Sequence, residues 1–121
     1  MKLFILFLVI FCHIIADFHV QTEFMAKYKQ KKEWEPYGSL YKYDWIPMLI
    51  IHSFSWSFVT FISLIFFMPL TAWCAVILIN TIIHFIVDDL KCNKLKINLI
   101  ADQSLHIAQI MLTIGIIFMI F

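Results

Sequence analysis

Four long apolar stretches, separated by short polar connections, dominate the chain. A membrane span needs about 20 mostly apolar residues. The hydropathy pattern predicts such spans at residues 3–20, 45–68, 70–87 and 99–121. Pro69 divides the second span from the third, because proline cannot continue a helix. The pattern therefore predicts an all-α fold: one transmembrane domain, residues 1–121, built as a four-helix bundle in a lipid bilayer.

Composition supports this interpretation and excludes other classes. Hydrophobic residues make up 63% of the chain and charged residues 14%, whereas a soluble domain is roughly half apolar and a quarter charged. All nine basic residues are lysines. Because arginine is the usual reader of bases and phosphates, no nucleic-acid partner is expected. The N-terminal stretch resembles a signal peptide, but no cleavage motif follows it, so we expect it to be retained as the first span.

The lysines predict an orientation. Eight of the nine lie in two polar connections, residues 21–44 and 91–98. With four spans both connections share one side, which the positive-inside rule makes cytoplasmic. Both termini are then outside, in a multi-pass protein of the inner (plasma) membrane. Segment 22–44 begins with either a short interfacial helix, capped by Thr22 and with its lysines facing water, or a solvated charged loop.

Every predicted span also carries polar residues at helical spacing. Residues four apart stay within one sector of an α-helix. The polar sets, in span order, are His13, Asp17 and Gln21; His52; Asn80, His84 and Asp88; and Asp102 and His106. The first and third spans end on the lysine-rich side and the other two begin there. The ionisable groups are therefore expected at one depth, near the cytoplasmic leaflet.

These groups are expected to face one another. A carboxylate deep in a bilayer costs roughly 2.5–3.5 kcal/mol on insertion scales, so an inward-facing arrangement is favoured. Polar contacts between helices are one role for them. A second role is metal binding, because four histidines and three aspartates form a ligand set typical of zinc, manganese or iron. We favour a divalent metal, with zinc first.

The predicted roles follow from position. The predicted metal ligands are His13, Asp17, His84, Asp88 and His106. The predicted catalytic residues are His52 and Asp102, the latter as a general base or as the partner of a ligand histidine. The predicted substrate contacts are Gln21, Asn80, Lys91 and Gln103, where Lys91 would attract an anionic headgroup.

Three motifs resemble an uncharacterised family of small bacterial membrane proteins, catalogued as domain of unknown function 3307. The motifs are His13-x3-Asp17-x3-Gln21-Thr22, His84-x3-Asp88-x2-Lys91 and Asp102-Gln103-x2-His106, and the resemblance covers nearly the whole chain. It implies a multi-span membrane protein and no established activity. The chain also loosely resembles inner-membrane proteins described as metal-dependent hydrolases. Asp89 departs from the family's apolar or aromatic residue, so either Asp88 or Asp89 could be the ligand.

Three functions fit these residues. The first is a metal-dependent hydrolase acting at the cytoplasmic leaflet on a phosphoester or lipid-like substrate, such as a phospholipid. The second is a metal or proton transporter, which is disfavoured because the outer halves of the spans hold almost nothing ionisable. The third is a small non-catalytic accessory protein of the membrane. Either four helices close the pocket alone, or a homo-oligomer completes it.

Overall fold

A computed structural model of the chain describes all of residues 1–121 and contains helices but no strand. Five α-helices follow in chain order: α1 (Lys2–Ile15), α2 (Glu23–Tyr28), α3 (Trp45–Phe61), α4 (Leu70–Cys92) and α5 (Leu99–Ile120). Four helical segments are long and apolar enough to cross a membrane. The predicted all-α fold with four long apolar helices is confirmed.

Shorter helical turns extend or connect these helices. A π-helical turn, Ala16–Val20, continues α1, and a 3₁₀ turn, Ile62–Phe66, continues α3. Two further 3₁₀ turns, Lys31–Tyr37 and Ser39–Tyr41, lie between α2 and α3. Helix α4 runs to Cys92, five residues beyond the predicted end of the third span, so Asp88 is still helical.

Side-chain caps and prolines set several of the helix starts. The Thr22 hydroxyl accepts a hydrogen bond from the Met25 amide at 3.1 Å, and the Asn98 side chain accepts one from the Ala101 amide at 2.9 Å. The predicted Thr22 cap is therefore present. Pro69 precedes α4 directly and turns the chain back from α3, because proline fixes its own backbone and lacks an amide hydrogen.

The interior of the bundle is half polar, and its outer surface is rich in apolar side chains. Half of its 26 buried residues are polar or charged. Its outer surface carries rows of large apolar side chains, such as Phe4, Phe7 and Phe11 of α1, which are 59–64% exposed. Extended apolar surface of this kind marks a face that meets a membrane or a partner. An apolar core that includes Val9, Trp56 and Ile110 fills the interior between the polar groups.

Helix α3 packs against both α1 and α4, and α4 also packs against α5. Hydrogen bonds between Asn93 and the backbone of Lys29 and Lys31 join the two polar connections, residues 21–44 and 93–98, at one end of the bundle. We call this the lysine-rich end. The termini lie together at the opposite end, where the Lys2 ammonium donates to the Phe118 carbonyl at 3.1 Å.

Asn80 joins α4 to α5 within the bundle. Its Oδ1 accepts from Gln109 Nε2 at 2.7 Å and from Thr113 Oγ1 at 3.1 Å. Its Nδ2 donates to the Val76 carbonyl of its own helix at 2.9 Å. Asn80 is 2% exposed, so the bundle itself uses both ends of the amide. The contact is a polar connection between two helices.

We expect Asn80→Ala to lower the free energy of unfolding by about 1 kcal/mol, because hydrogen bonds between apolar helices average about 0.6 and reach about 1.7 kcal/mol. Reversible unfolding of the detergent-solubilised protein measures the change. Thr81→Ala is the matched control, since the Thr81 hydroxyl bonds only to the Ile77 carbonyl of its own helix. Equal losses in the two variants would contradict a role for Asn80 in joining α4 to α5.

Candidate functional site

The polar groups of the four long helices meet near the lysine-rich end. Helix α1 and its π turn supply His13 and Asp17, and α3 supplies His52. Helix α4 supplies His84 and Asp88, and α5 supplies Asp102 and His106. Six of these seven residues are at most 3% exposed: His13, His52, His84, Asp88, Asp102 and His106. We call the seven residues the polar cluster.

The turn that carries Asp17 is not α-helical. Residues Ala16–Val20 form a π turn, and Gln21 is extended, with φ −67° and ψ 114°. The predicted α-helical stripe through His13, Asp17 and Gln21 is therefore wrong beyond residue 15. A π turn takes in more residues than an α turn and often lies at a functional site. Here the Asp17 carboxylate accepts a hydrogen bond from Gln103 Nε2 of α5 at 2.9 Å.

Asp88 is the centre of the charged contacts. Its Oδ2 lies 2.6 Å from Lys29 Nζ and 3.3 Å from His52 Nε2, and its Oδ1 lies 3.5 Å from Lys91 Nζ. Its side chain is only 2% exposed. An unpaired carboxylate at such a site would cost several kcal/mol (order of magnitude). These three contacts therefore make a buried charge at Asp88 tolerable.

Lys29 is the site residue that the sequence did not reveal. The lysines of segment 22–44 were expected to face water, but the Lys29 side chain is 5% exposed and points into the bundle. Besides Asp88, its Nζ donates to Gln21 Oε1 at 2.8 Å and lies 3.4 Å from His52 Nε2. Pairing with the buried carboxylate explains why this lysine turns inward. Composition carries no signal for it, because Asp88 is 59 residues away.

Asn93, just beyond α4, binds the backbone that directly follows the Lys29 side chain. Its Oδ1 accepts from the Lys31 amide at 2.7 Å, and its Nδ2 donates to the Lys29 carbonyl at 3.4 Å and to Asp89 Oδ1 at 3.0 Å. Asp89 thus faces the connection, where it also pairs with Lys94 at 3.4 Å. Of the two neighbouring aspartates, Asp88 is the one that faces the polar cluster.

Aromatic stacking orders the histidines. The ring of His84 lies 4.3 Å from that of His106 and 4.2 Å from that of Trp56, with interplanar angles of 21° and 19°. His84 Nε2 is 3.1 Å from His52 Nε2. Trp56 Nε1 donates to His13 Nδ1 at 3.1 Å, which makes that nitrogen an acceptor and fixes the tautomer of His13.

Asp102 connects His106 to the lysines. It is 0% exposed, and its Oδ1 lies 3.1 Å from His106 Nε2. Its Oδ2 accepts from Lys91 Nζ at 2.8 Å and from Gln103 Nε2 at 3.1 Å. A carboxylate on one imidazole nitrogen orients the ring and leaves the other nitrogen free to accept or to bind a metal. This contact corresponds to one of the two predicted roles of Asp102.

Two overlapping groups have the spacing of a metal site. In Asp17, His52 and His84, and again in His84, Asp88 and His106, one ligand atom from each residue lies within 4.8 Å of the others. His13 belongs to neither group. The buried Nδ1 atoms of His84 and His106 have no hydrogen-bond partner, which is costly unless something binds them. Imidazole and carboxylate donors suit zinc, manganese or iron, so the residues fit such an ion.

The ring geometry adds one condition. The rings of His84 and His106 are nearly parallel, whereas the lone pairs of two ligands must point at one ion. At least one of these rings therefore has to rotate for both to bind the same metal. The tight stacking means that the rotation is accompanied by movement of a neighbouring ring.

The negative charges at the site outnumber the positive ones. Asp88 and Asp102 contact the ammonium groups of Lys29 and Lys91, whereas the partly buried Asp17 accepts only from the Gln103 amide. With neutral histidines the formal charge is −1. Uncompensated charge in an apolar interior is unfavourable. A cation, or a proton on a histidine, would remove the excess of negative charge.

A polar cavity of about 170 Å³ opens beside the cluster. Its polar lining is Asp17, Gln21, Lys29, Asp88, Lys91 and Gln103. Three of the four predicted substrate contacts, Gln21, Lys91 and Gln103, therefore line one cavity. Asn80 does not, because it is engaged with α5. His52 and Gln21 line a second, smaller cavity of about 70 Å³.

A family model agrees with the motifs. The model described as "Protein of unknown function (DUF3307)" matches residues 3–121. The chain belongs to this family. Comparison of this DUF3307 chain with curated proteins and with solved structures finds no match. The resemblance drawn from the three motifs is confirmed, and the family description assigns no activity.

We expect Lys29→Met to lower the free energy of unfolding of this DUF3307 chain by about 3 kcal/mol, the lower end of the cost of breaking a buried ion pair. The lower end applies because Asp88 keeps Lys91 at 3.5 Å. The Lys29→Met/Asp88→Asn double variant should recover most of the loss, since neither charge is then left unpaired. Unfolding in detergent measures all of these variants.

The matched control is Lys32→Met, which removes an exposed lysine of the same segment. We expect it to change stability by less than about 0.5 kcal/mol, as surface substitutions usually do. If the double variant loses the sum of the two single losses, Lys29 and Asp88 are not coupled, and the central role of their contact is wrong.

Proposed function

We propose that this protein spans the inner membrane four times and is a metal-dependent hydrolase that acts at the cytoplasmic leaflet on a phosphoester or lipid-like substrate. One observation carries the proposal. Two buried histidines, His84 and His106, have unpartnered Nδ1 atoms and group with Asp88 at the spacing of metal ligands, and Asp88 also lines the polar cavity. A site for a cation therefore adjoins a space for a small polar group.

The membrane placement rests on the surface and on the lysines. The large apolar side chains are exposed and half of the buried residues are polar, which is the arrangement favoured in lipid. Eight of the nine lysines lie in residues 21–44 and 91–98, at the lysine-rich end. By the positive-inside rule that end is cytoplasmic, and both termini are then outside. The polar cluster would lie at the depth of the inner leaflet.

A divalent metal would be held by His84, Asp88 and His106. Zinc is the favoured ion, with manganese and iron as alternatives, because the donors are imidazole and carboxylate. When bound, such an ion supplies Lewis-acid polarisation of a phosphoryl oxygen and lowers the pKa of water. Asp17 and His52 form the overlapping group through the shared His84, and His13 supports it from outside through Trp56.

The surrounding residues have separable roles in this proposal. Asp102 Oδ1 lies 3.1 Å from His106 Nε2, so Nδ1 would be the ring nitrogen that binds a metal. His52, whose Nε2 lies 3.1 Å from His84 Nε2 and 3.3 Å from Asp88 Oδ2, would accept a proton as a general base. Lys91 and Gln103 line the cavity and would contact the anionic part of a substrate. Lys91 would use the ammonium hydrogens that Asp102 leaves free, and Gln103 would exchange its hydrogen bonds to Asp17 and Asp102.

We expect the detergent-purified protein to contain near-stoichiometric zinc, manganese or iron, measured by elemental mass spectrometry. His84→Ala and His106→Ala should lose the metal because each removes a ligand. Asp102→Asn should weaken binding by about 10- to 100-fold, as expected for the partner of a ligand histidine. His19→Ala, which removes an exposed histidine outside the cluster, is the matched control and should retain the metal.

Wild-type protein that binds no metal even after reconstitution would overturn the metal proposal. Hydrolysis is tested separately, by phosphate release from a short-chain phosphatidic acid with and without a chelator. We expect His52→Gln to lower turnover by about 10²- to 10⁴-fold, the usual contribution of a general acid or base. Metal binding without any turnover would reduce the proposal to a metal-binding membrane protein.

Proton or metal transport is the second candidate, and one observation favours it. Ser57, Thr60 and Ser63 carry buried hydroxyl groups without partners, and they continue along α3 from His52 toward the opposite end of the bundle. Together with the formal charge of −1, they would suit a path for protons. Ion flux in liposomes tests this candidate: flux without turnover would replace the hydrolase by a transporter.

A further inference from the structure

The cavity beside Asp88 has one polar wall and one apolar rim. The rim consists of Phe18, in the π turn that ends α1, and Leu99, the first residue of α5. These side chains are 61% and 60% exposed, so they stand at the outer edge of the cavity. The apolar rim therefore lies between the end of α1 and the start of α5, next to the exposed apolar side chains of the bundle.

The size of the cavity limits its ligand. A volume of about 170 Å³ equals the share of about six water molecules in the liquid. Pockets that enclose a whole drug-sized molecule are larger, about 300–1,000 Å³. The cavity can therefore take one compact group, while the remainder of a larger ligand lies outside, against the rim.

The polar wall selects the kind of group. The polar lining combines two lysines, Lys29 and Lys91, with two amides, Gln21 and Gln103, and two carboxylates, Asp17 and Asp88. The Lys91 side chain is 27% exposed, so it is accessible from the cavity. Lys91 Nζ makes one hydrogen bond, to Asp102 at 2.8 Å, and so has donor hydrogens left for the oxygens of a phosphate. A choline group would need an aromatic cage, and Phe18 is the single aromatic residue in the lining.

We propose that this cavity binds the phosphomonoester headgroup of a membrane amphiphile, which enters sideways between α1 and α5 with its acyl chain against Phe18 and Leu99. The proposal rests on the proposed function in one respect, the need for a bound cation. The polar cluster together with Lys29 and Lys91 has a formal charge of −1, which would repel an anion, and a divalent cation reverses that sign. By linkage the metal and the headgroup then raise each other's affinity by the same factor.

The test measures ligand binding to the full chain in non-ionic detergent, by titration calorimetry with and without zinc. The probes are dioctanoyl phosphatidic acid, dioctanoyl phosphatidylcholine and inorganic phosphate. We expect phosphatidic acid to bind at least tenfold more tightly than the other two, and more tightly with zinc than without. Phe18→Ala combined with Leu99→Ala should weaken the binding of phosphatidic acid while leaving that of inorganic phosphate unchanged.

The matched control is Phe7→Ala combined with Leu112→Ala, which removes two apolar side chains of similar exposure, 63% and 66%, away from the cavity. Equal binding of inorganic phosphate and phosphatidic acid, unaffected by the rim variants, would replace the amphiphile by a free anion. Equal binding of phosphatidylcholine and phosphatidic acid would overturn the headgroup site.

The two proposals fail in distinguishable ways. If the protein binds metal but phosphatidic acid does not bind, the headgroup site is wrong while the metal proposal stands. If phosphatidic acid binds selectively to a protein that takes up no metal, the metal-dependent function is wrong. The sideways entry is then kept only if the rim variants weaken that binding.

Discussion

The contact between Lys29 and Asp88 is the interaction on which the site depends. It neutralises a carboxylate in the bundle interior, anchors the segment after α2 to α4, and builds one wall of the cavity. Lys29 belongs to the connection between α2 and α3, yet its side chain is buried almost as deeply as that of Asp88. Without it, Asp88 would keep only a more distant lysine and a histidine, and the connection would lose its main attachment beside Asn93.

In this chain of 121 residues, the inward-facing polar groups both hold the helices together and form the candidate site. The stacked rings and paired charges hold the helices together where apolar packing would offer little preference over lipid. The same groups leave nitrogen atoms unpartnered and a charge unbalanced, which a purely structural core would avoid. The stabilising network and the candidate site are therefore the same set of residues, so substitutions there will alter both stability and binding.

Sequence reasoning reached the fold and most of the cluster for identifiable reasons. Apolar length predicts the four long helices, and helical spacing combined with chain direction puts His52, His84, Asp88 and His106 at one depth. The π turn at Ala16–Val20 was not predicted, because the composition of a segment does not indicate a change in its backbone hydrogen-bond pattern. Lys29 escaped because its partner lies far along the chain. Asn80 shares a helix face with His84, but spacing alone does not tell which amide is already used by a neighbouring helix.

The ion pairs have an order along the chain that matters for biogenesis. Lys29 is synthesised before Asp88, and Lys91 before Asp102. In the proposed topology, each of these aspartates emerges from the ribosome when its lysine is already on the cytoplasmic side. Because chains fold from the N-terminus during synthesis, helices α4 and α5 can enter the bilayer beside a waiting counter-charge. Asp88 of α4 and Asp102 of α5 then do not have to enter the bilayer as unpaired negative charges.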